Sequence, residues 1–156
     1  MEDLIISFYT AFNNLNPEGM VACYHPEVTF HDPAFGTLKG ERAKNMWRML
    51  CKSQQGKAFK VQYSNIKVEG NEGSCDWNVS YIFGKPEKQV VNRVHAVFEF
   101  KDGLIYKHTD EFDLHKWAKL AMGFKGSLLG GTAYFKTKFQ YKTNAKLDAF
   151  IKKQQV

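Results

Sequence analysis

The sequence lacks several features that would assign a protein to a well-defined chemical class. It has no Cys-x-x-Cys pair, and its three cysteines, Cys23, Cys51 and Cys75, are odd in number and unevenly spaced. We therefore expect reduced thiols, not a disulfide scaffold or a zinc site. No phosphate-binding loop, dinucleotide fingerprint or metal-ligand spacing occurs, so the sequence predicts neither a cofactor nor a bound metal ion.

Long apolar runs are also missing. No stretch of about 18 consecutive apolar residues is present that could span a bilayer. The N-terminus, MEDLIISF, is acidic and has no basic segment before an apolar run, so it is not typical of a signal peptide. Together with the unpaired cysteines, these absences predict a cytoplasmic protein.

Positive charge is scarce in most of the chain and concentrated at one end. The net charge is +6, yet residues 1–123 hold 15 basic and 15 acidic residues. Residues 124–156 hold seven lysines, no arginine and one acid, Asp148. A nucleic-acid-binding domain more often gathers Arg and Lys across a folded face, so no nucleic-acid partner is expected. We divide the chain into a domain over residues 1–123 and a basic tail over residues 124–156.

In the tail, the lysines alternate with apolar residues such as Phe135, Phe139, Leu147 and Phe150. This pattern predicts one or two amphipathic helices after glycine-rich turns. Two roles stay open. The tail could attach to an anionic membrane surface, or it could pack over its own domain or a dimer mate, which is the commoner use of such a helix.

Helical periodicity comes first in the domain and strand periodicity follows. Asn16 and Pro17 favour the start of a short second helix, and Asp113 favours the start of a last helix with Trp117 and Leu120 facing inward. The other predicted elements are helices over 2–15 and 41–52, a loop over 33–40, and strands over 28–32, 59–69, 74–83, 88–101 and 104–112. This order is typical of an α+β fold, in which a long, curved antiparallel sheet and its covering helices enclose a cone-like space.

Alternation along the strands identifies the polar side chains that face this space. In 104–112 the inward set is Leu104, Tyr106, His108, Asp110 and Phe112, and in 88–101 it includes Asn92. A polar group in an apolar interior needs a partner. His108, Asp110 and Asn92 therefore either form a satisfied buried network, alone or with Asp32, or serve a ligand.

The opposite face of the sheet has a mixed composition that suits a partner sheet. We predict a homodimer through this outer face, which carries Asn78, Ser80, Arg93, His95, Val97 and Glu99.

A second pair of titratable residues ends the strand in VTFHDPAFG. His31 and Asp32 either terminate the strand at the surface or point into the cavity. Three aromatic residues on other elements, Phe12, Trp47 and Trp77, are suited to hold a flat apolar molecule beside them.

Two long segments carry a resemblance to a known superfamily. FYTAFNNLNPEGMVACYHPEVTFHDPAFGTLKG and FKDGLIYKHTDEFDLHKWAKLAMG resemble SnoaL-like and ketosteroid-isomerase-like members of the nuclear transport factor 2-like superfamily. The resemblance covers residues 2–123 in order. It implies a cystatin-like, cone-shaped α+β barrel with an apolar pocket, while the fold itself hosts enzymes, binding modules and assembly domains alike.

The resemblance also implies roles for individual residues. Asp32, before Pro33, matches the general base of ketosteroid isomerases, and Tyr9 matches their oxyanion-hole tyrosine. Ala96 stands where those enzymes place a protonated Asp, so their own reaction lacks one donor here. SnoaL-like cyclases are similar in using a pocket carboxylate, for which Asp110 is the candidate.

Three functions follow as hypotheses. The first is a cofactor-independent isomerase, cyclase or hydrolase in which Asp32 or Asp110 is the base and His108 orients the proton. Tyr9 and Asn92 would then bind a developing oxyanion, and Phe12, His31, Trp47 and Trp77 would contact a small apolar molecule. The second is a non-catalytic module that binds such a molecule, and the third is a structural homodimer.

Overall fold

The computed structural model describes residues 1–156 as six helices and six strands. The helices are α1 (Glu2–Asn13), α2 (Pro17–Ala22), α3 (Glu41–Gln54), α4 (Leu114–Met122), α5 (Phe124–Leu129) and α6 (Ala133–Gln154). The strands are β1 (Tyr24–Asp32), β2 (Gly36–Lys39), β3 (Lys60–Glu69), β4 (Glu72–Phe83), β5 (Lys88–Lys101) and β6 (Leu104–Glu111).

The strands form one open sheet in the order β2-β1-β6-β5-β4-β3. All neighbours are antiparallel except β1 and β6, which are parallel. Helices α1 and α3 cover the apolar face of the sheet, and the main core lies between them. The predicted α+β cone is therefore confirmed.

Helix starts lie where the sequence places them. The side chain of Asn16 accepts a hydrogen bond from the Gly19 amide at 3.0 Å, and Pro17 takes the first helical position. Asp113 accepts from the Lys116 amide at 3.0 Å. Each cap satisfies an N–H group that the first turn of a helix leaves without an intrahelical partner.

The first sheet edge differs from the prediction. The predicted loop contains β2, which pairs with β1 so that Phe30 faces Leu38. Strand β1 also begins at Tyr24, four residues before the predicted start at 28, so His25 and Pro26 lie within it. A four-residue strand is too short for its alternation to stand out in the sequence.

Inward alternation along β6 is interrupted near its start. Glu99 pairs with Lys107 while Phe100 pairs with Ile105, so Tyr106 is an extra residue and forms a bulge. Ile105 is consequently the buried residue at the start of β6, whereas Leu104 and Tyr106 were expected there. Beyond the bulge, His108 and Asp110 face inward as predicted.

Helix α4 covers one end of β5. Its buried residues, including Trp117, form a small second core with Val90 of β5. Leu120, which was expected to face inward, is 48% exposed. The buried face of the helix repeats at three and four residues, and Leu120 falls outside that stripe. Its members are Leu114, Trp117, Ala118 and Ala121.

The three cysteines are all buried and free. Burial raises the pKa of both Cys51 and Cys75 to about 12. Thiols with such values hold little thiolate at neutral pH and are poor nucleophiles, so they contribute packing.

Helix α6 packs on the domain. Leu147 is fully buried in the main core. Gln140, Thr143 and Asn144 donate hydrogen bonds of 2.7–3.1 Å to the three consecutive carbonyl groups of residues 33–35. The helix thereby holds the segment that follows β1.

None of the six helices combines the length and the apolarity needed to cross a membrane.

We expect Leu147→Ala to lower the free energy of unfolding by about 3 kcal/mol, because it leaves a cavity between α6 and the core. Leu128→Ala is the matched control, since Leu128 is 63% exposed and its truncation should cost less than about 0.5 kcal/mol. Urea unfolding followed by circular dichroism measures both. Equal losses in the two variants would contradict the packing of α6 described here.

Candidate active site

A cavity of about 390 Å³ opens between the helices and the inward face of β4, β5 and β6. Most of its lining is apolar, and part of its wall comes from α6. It contains both carboxylates named from the sequence. Six of the predicted site residues line it: Phe12, Asp32, Trp47, Trp77, Asn92 and Asp110.

Asp32 ends β1 and is only 8% exposed. Its Oδ1 accepts a hydrogen bond from the Phe35 amide at 2.6 Å, which fixes the carboxyl at the start of the turn. The pKa of Asp32 is raised to about 7, mainly by burial and to a smaller extent by the charge of Asp110, against the lowering effect of the Phe35 amide. Asp32 therefore exchanges its proton near neutral pH.

Asp110 is positioned by two N–H donors that act on the same oxygen. Trp77 Nε1 lies 3.2 Å and His108 Nε2 lies 2.9 Å from Asp110 Oδ1. Neither donor engages Oδ2, and the carboxyl group is part of the cavity lining. Asp110 thus offers one oxygen to the protein and the other to the cavity.

The hydrogen bonds behind Asp110 have one consistent direction. Trp47 Nε1 donates to the Tyr24 hydroxyl at 2.8 Å, and the Tyr24 oxygen lies 2.7 Å from His108 Nδ1. Trp47 Nε1 can only donate, so His108 Nδ1 is the acceptor available to the Tyr24 O–H, and the hydroxyl donates to it. This assigns the neutral tautomer of His108 with hydrogen on Nε2, which donates to Asp110.

The two carboxyl groups therefore have different local environments in one apolar space. Asp110 has its donors on one side and a free oxygen on the other, which suits a proton acceptor. Asp32 keeps a proton up to about neutral pH, which suits a proton donor. Pairs of carboxyl groups that one site holds in different local environments are typical of acid–base catalysis.

Three predicted residues lie outside the cavity lining. His108 is fully buried behind Asp110, so it positions that carboxyl and does not contact a ligand. Tyr9 is fully buried, with its ring 5.4 Å from that of Trp77, and its hydroxyl has no hydrogen-bond partner. His31 is exposed and bonds to Thr37 at 2.9 Å, because alternation along β1 turns it away from Asp32.

Several lining or network residues were not expected from the sequence. Tyr24 lies before the strand predicted over 28–32, so its place behind His108 carried no signal. Tyr81 lies in the strand predicted over 74–83, and its hydroxyl accepts the Trp117 Nε1–H. Phe139, Thr143 and Lys146 were assigned to the tail, yet they line the cavity.

No group of three or more His, Cys, Asp or Glu side chains is close enough to hold a metal ion. His108 and Asp110 are bonded to each other, and His31 lies on the other face of the sheet.

The family model of the SnoaL-like domain matches residues 5–108. The chain is a member of the SnoaL-like family. The resemblance predicted from its two long segments is therefore confirmed. No curated protein sequence matches this SnoaL-like chain.

Solved structures share the fold. An LEH-like epoxide hydrolase of M. tuberculosis is 25% identical, with a TM-score of 0.62 over 82% of this chain and 89% of that one. A putative polyketide cyclase of Xanthomonas campestris is 19% identical, with a TM-score of 0.61 over 76% and 93% of the two chains. TerC, crystallised with polyporic acid, is 17% identical, with a TM-score of 0.64 over 76% and 95%. The last two likenesses concern the fold alone.

Proposed function

We propose that this SnoaL-like protein is a cofactor-independent acid–base enzyme that acts on a small, largely apolar molecule in the cavity. The observation that carries the proposal is the placement of Asp32 and Asp110 in one apolar cavity, where Asp32 has a pKa of about 7 and Asp110 keeps Oδ2 free of protein donors. Its reaction class is isomerase, cyclase or hydrolase, in each of which one group takes a proton while another gives one.

The proton movements follow from the two environments. In an isomerisation or cyclisation, Asp110 Oδ2 takes a proton from carbon as the Asp32 carboxyl donates one to the carbonyl oxygen. In epoxide hydrolysis, Asp110 takes the proton of the attacking water, the carbon–oxygen bond of the ring breaks, and Asp32 protonates the ring oxygen. Either step leaves Asp110 protonated and Asp32 ionised. In an isomerisation Asp110 then gives its proton to a different carbon, and the enol O–H returns a proton to Asp32. After a cyclisation, in which the deprotonated carbon bonds to the carbon of the protonated carbonyl, or after epoxide opening, one proton passes from Asp110 to Asp32.

The supporting residues have separate roles in this proposal. His108 and Trp77 hold Asp110 Oδ1 so that Oδ2 is presented to the substrate. The apolar walls, including Phe12 and Trp47, exclude water and bind the substrate body. Asn92 adds a side-chain amide to the lining, which can bind a carbonyl or hydroxyl oxygen.

A second candidate is a protein without catalytic activity. It is either a module that binds a small apolar molecule or a structural homodimer joined through the outer sheet face. The observation that favours it is the continuous set of hydrogen bonds from Trp47 through Tyr24 and His108 to Asp110, which also satisfies a purely structural network. The two candidates differ in whether removal of the Asp110 charge abolishes turnover.

The direction of the pH dependence tests the assignment of Asp32. If Asp32 is the proton donor with a pKa of about 7, kcat/KM should fall with pH above about 7, approaching tenfold per unit. The measurement is a pH–rate profile on a panel of a β,γ-unsaturated ketone, a polyketide-like diketone and an aryl epoxide.

Asp32→Asn should lose most of the activity and the decline above pH 7 with it, whereas Asp3→Asn, at an exposed position in α1, should keep both. A rate that rises through pH 7 would instead make Asp32 the base, as in the resemblance to ketosteroid isomerases. Binding of all three compounds without turnover at any pH would favour the second candidate.

A further inference from the structure

One continuous part of the chain carries positive charge without any acid. Residues 114–147 contain seven lysines and no Asp or Glu. The ammonium group of an eighth lysine, Lys88, lies beside Gly123 at the junction of α4 and α5. This segment contains α4, α5 and the first two-thirds of α6, so the charge belongs to folded structure and not to a loose end.

The same segment exposes most of the large apolar side chains that the protein leaves uncovered. Phe124 is 78% exposed, Leu128 63% and Tyr141 77%. We call this region the basic apolar surface. Its exposed apolar members are Leu120, Met122, Phe124, Leu128, Leu129, Tyr134 and Tyr141, and its cations are Lys116, Lys119, Lys125, Lys136, Lys138 and Lys142.

Helix α5 is turned so that its apolar residues face away from the protein. A Cβ atom at Gly126 would overlap the carbonyl oxygen of Ala118, and one at Gly130 would lie 2.6 Å from the Ala118 Cβ. The glycines therefore form the packed side. Phe124 and Leu128 each lie two residues from Gly126, about 200° around the helix, and point outward.

This orientation is the reverse of that of an ordinary surface helix, whose apolar stripe faces the core. Here the glycines bring α5 against α4, and the large apolar side chains, which would gain most from burial, remain in solvent. An arrangement of this kind is explained by a partner outside the protein that covers Phe124 and Leu128.

The outward side of α6 extends the same surface. Tyr134, Lys138 and Tyr141 are exposed, and the Lys138 ammonium group lies 5.4 Å from the centre of the Tyr134 ring. Phe139 and Leu147 occupy the opposite side, against the domain. Aromatic rings with polar tips beside lysines suit the boundary between lipid headgroups and acyl chains.

We propose that the basic apolar surface docks the protein on an anionic bilayer. The charges of the surface complement anionic headgroups, and Phe124 and Leu128 insert at the acyl boundary. A second copy of the chain is the wrong partner, because joining two such surfaces would place six lysines against six. Since no helix can cross a bilayer, the attachment is interfacial.

The docking surface and the cavity share α6. Phe139, Thr143 and Lys146 line the cavity from this helix, while Tyr134 and Tyr141 lie on its outer side. Helix α6 therefore belongs both to the cavity wall and to the docking surface. An apolar ligand dissolved in the bilayer would contact the docked protein at this helix.

Vesicle co-sedimentation tests the proposal with the full chain. At 50 mM salt the protein should sediment with vesicles of phosphatidylcholine and phosphatidylserine and remain in solution with phosphatidylcholine alone. At 500 mM salt the bound fraction should fall by more than tenfold, since the charge attraction is screened.

Two pairs of variants separate charge from apolar insertion. Lys125→Gln with Lys138→Gln should weaken partitioning about 30-fold, whereas Lys60→Gln with Lys85→Gln, at exposed lysines outside the surface, should leave it within about twofold. The double variant Phe124→Ser with Leu128→Ser should weaken partitioning at least tenfold. The control, Val91→Ser with Val97→Ser at residues exposed on the sheet, should not weaken partitioning to this extent.

Three results would overturn the proposal. One is absence of sedimentation with anionic vesicles at 50 mM salt. Another is binding that both surface variants leave unchanged. The third is salt-sensitive capture on poly-glutamate beads as strong as that on vesicles and unaffected by Phe124→Ser with Leu128→Ser, which would identify an acidic macromolecule as the partner. Circular dichroism of each variant excludes unfolding as the cause of a loss.

Discussion

Replacement of Asp110 by Asn is expected to reduce kcat/KM about a thousandfold on any substrate that the protein turns over. The amide oxygen of Asn can still accept from Trp77 and His108, whose donors both act on Oδ1. Its NH₂ group then takes the place of Oδ2 at the cavity, where it can donate a hydrogen bond but cannot accept a proton. The loss of a general base from an otherwise intact site accounts for a factor of this size.

The matched control is Asp76→Asn, which removes a carboxylate on the outer face of β4 that pairs with His95 at 2.7 Å. Its activity should stay within about twofold of the parent protein, and steady-state kinetics with urea unfolding for both variants provides the comparison. An Asp110→Asn protein that is folded and fully active would eliminate Asp110 as the base. Unfolding of that variant would instead point to the structural-network function.

The second large effect concerns the dependence of stability on pH. The pKa of Asp32 is about 7 in the folded protein and 3.8 as its ordinary value. Between these values the folded state holds a proton that the unfolded state has released, so the free energy of unfolding falls as pH rises. At 1.36 kcal/mol per pKa unit, the contribution lost between pH 4 and pH 8 is about 4 kcal/mol.

Asp32→Asn should remove this contribution, because the amide oxygen still accepts the Phe35 N–H and carries no charge. We expect the variant to match the parent protein in stability at pH 4 and to exceed it at pH 8 by up to about 4 kcal/mol. Urea unfolding at five pH values measures the difference, and Asp3→Asn serves as the exposed control. A difference that does not change with pH would show that Asp32 ionises normally in the folded state.

Most of the architecture could be predicted because its signals are local. The alternation of Cys75, Trp77 and Val79 against Asp76 and Asn78 identifies both the strand and its inward face. Asp113 and the pair of Asn16 and Pro17 mark helix starts by the chemistry of their side chains. The bulge at Tyr106 could not be predicted, because it arises from the pairing of β6 with β5 and leaves no mark in the β6 sequence alone.

Alternation along the strands predicted part of the candidate site. It placed Asn92 and Asp110 in the interior. Applied to the short strand before Pro33, the same alternation would also have placed His31 on the outer face. The role of Tyr24 could not be predicted, because its contact with His108 joins positions 84 residues apart. The contribution of α6 to the cavity wall depends likewise on distant packing, which periodicity within the helix does not encode.

The parallel pairing of β1 with β6 has a consequence for biosynthesis. Residues 24–39 are synthesised well before residues 104–111, so β1 and β2 lack their β6 neighbour while residues 40–103 are made. The inward residues Val28 and Phe30 of β1 stay uncovered by β6 for that period. The nascent chain therefore completes its sheet only when synthesis is two-thirds done, and slow, long-range closure governs how the protein acquires its shape.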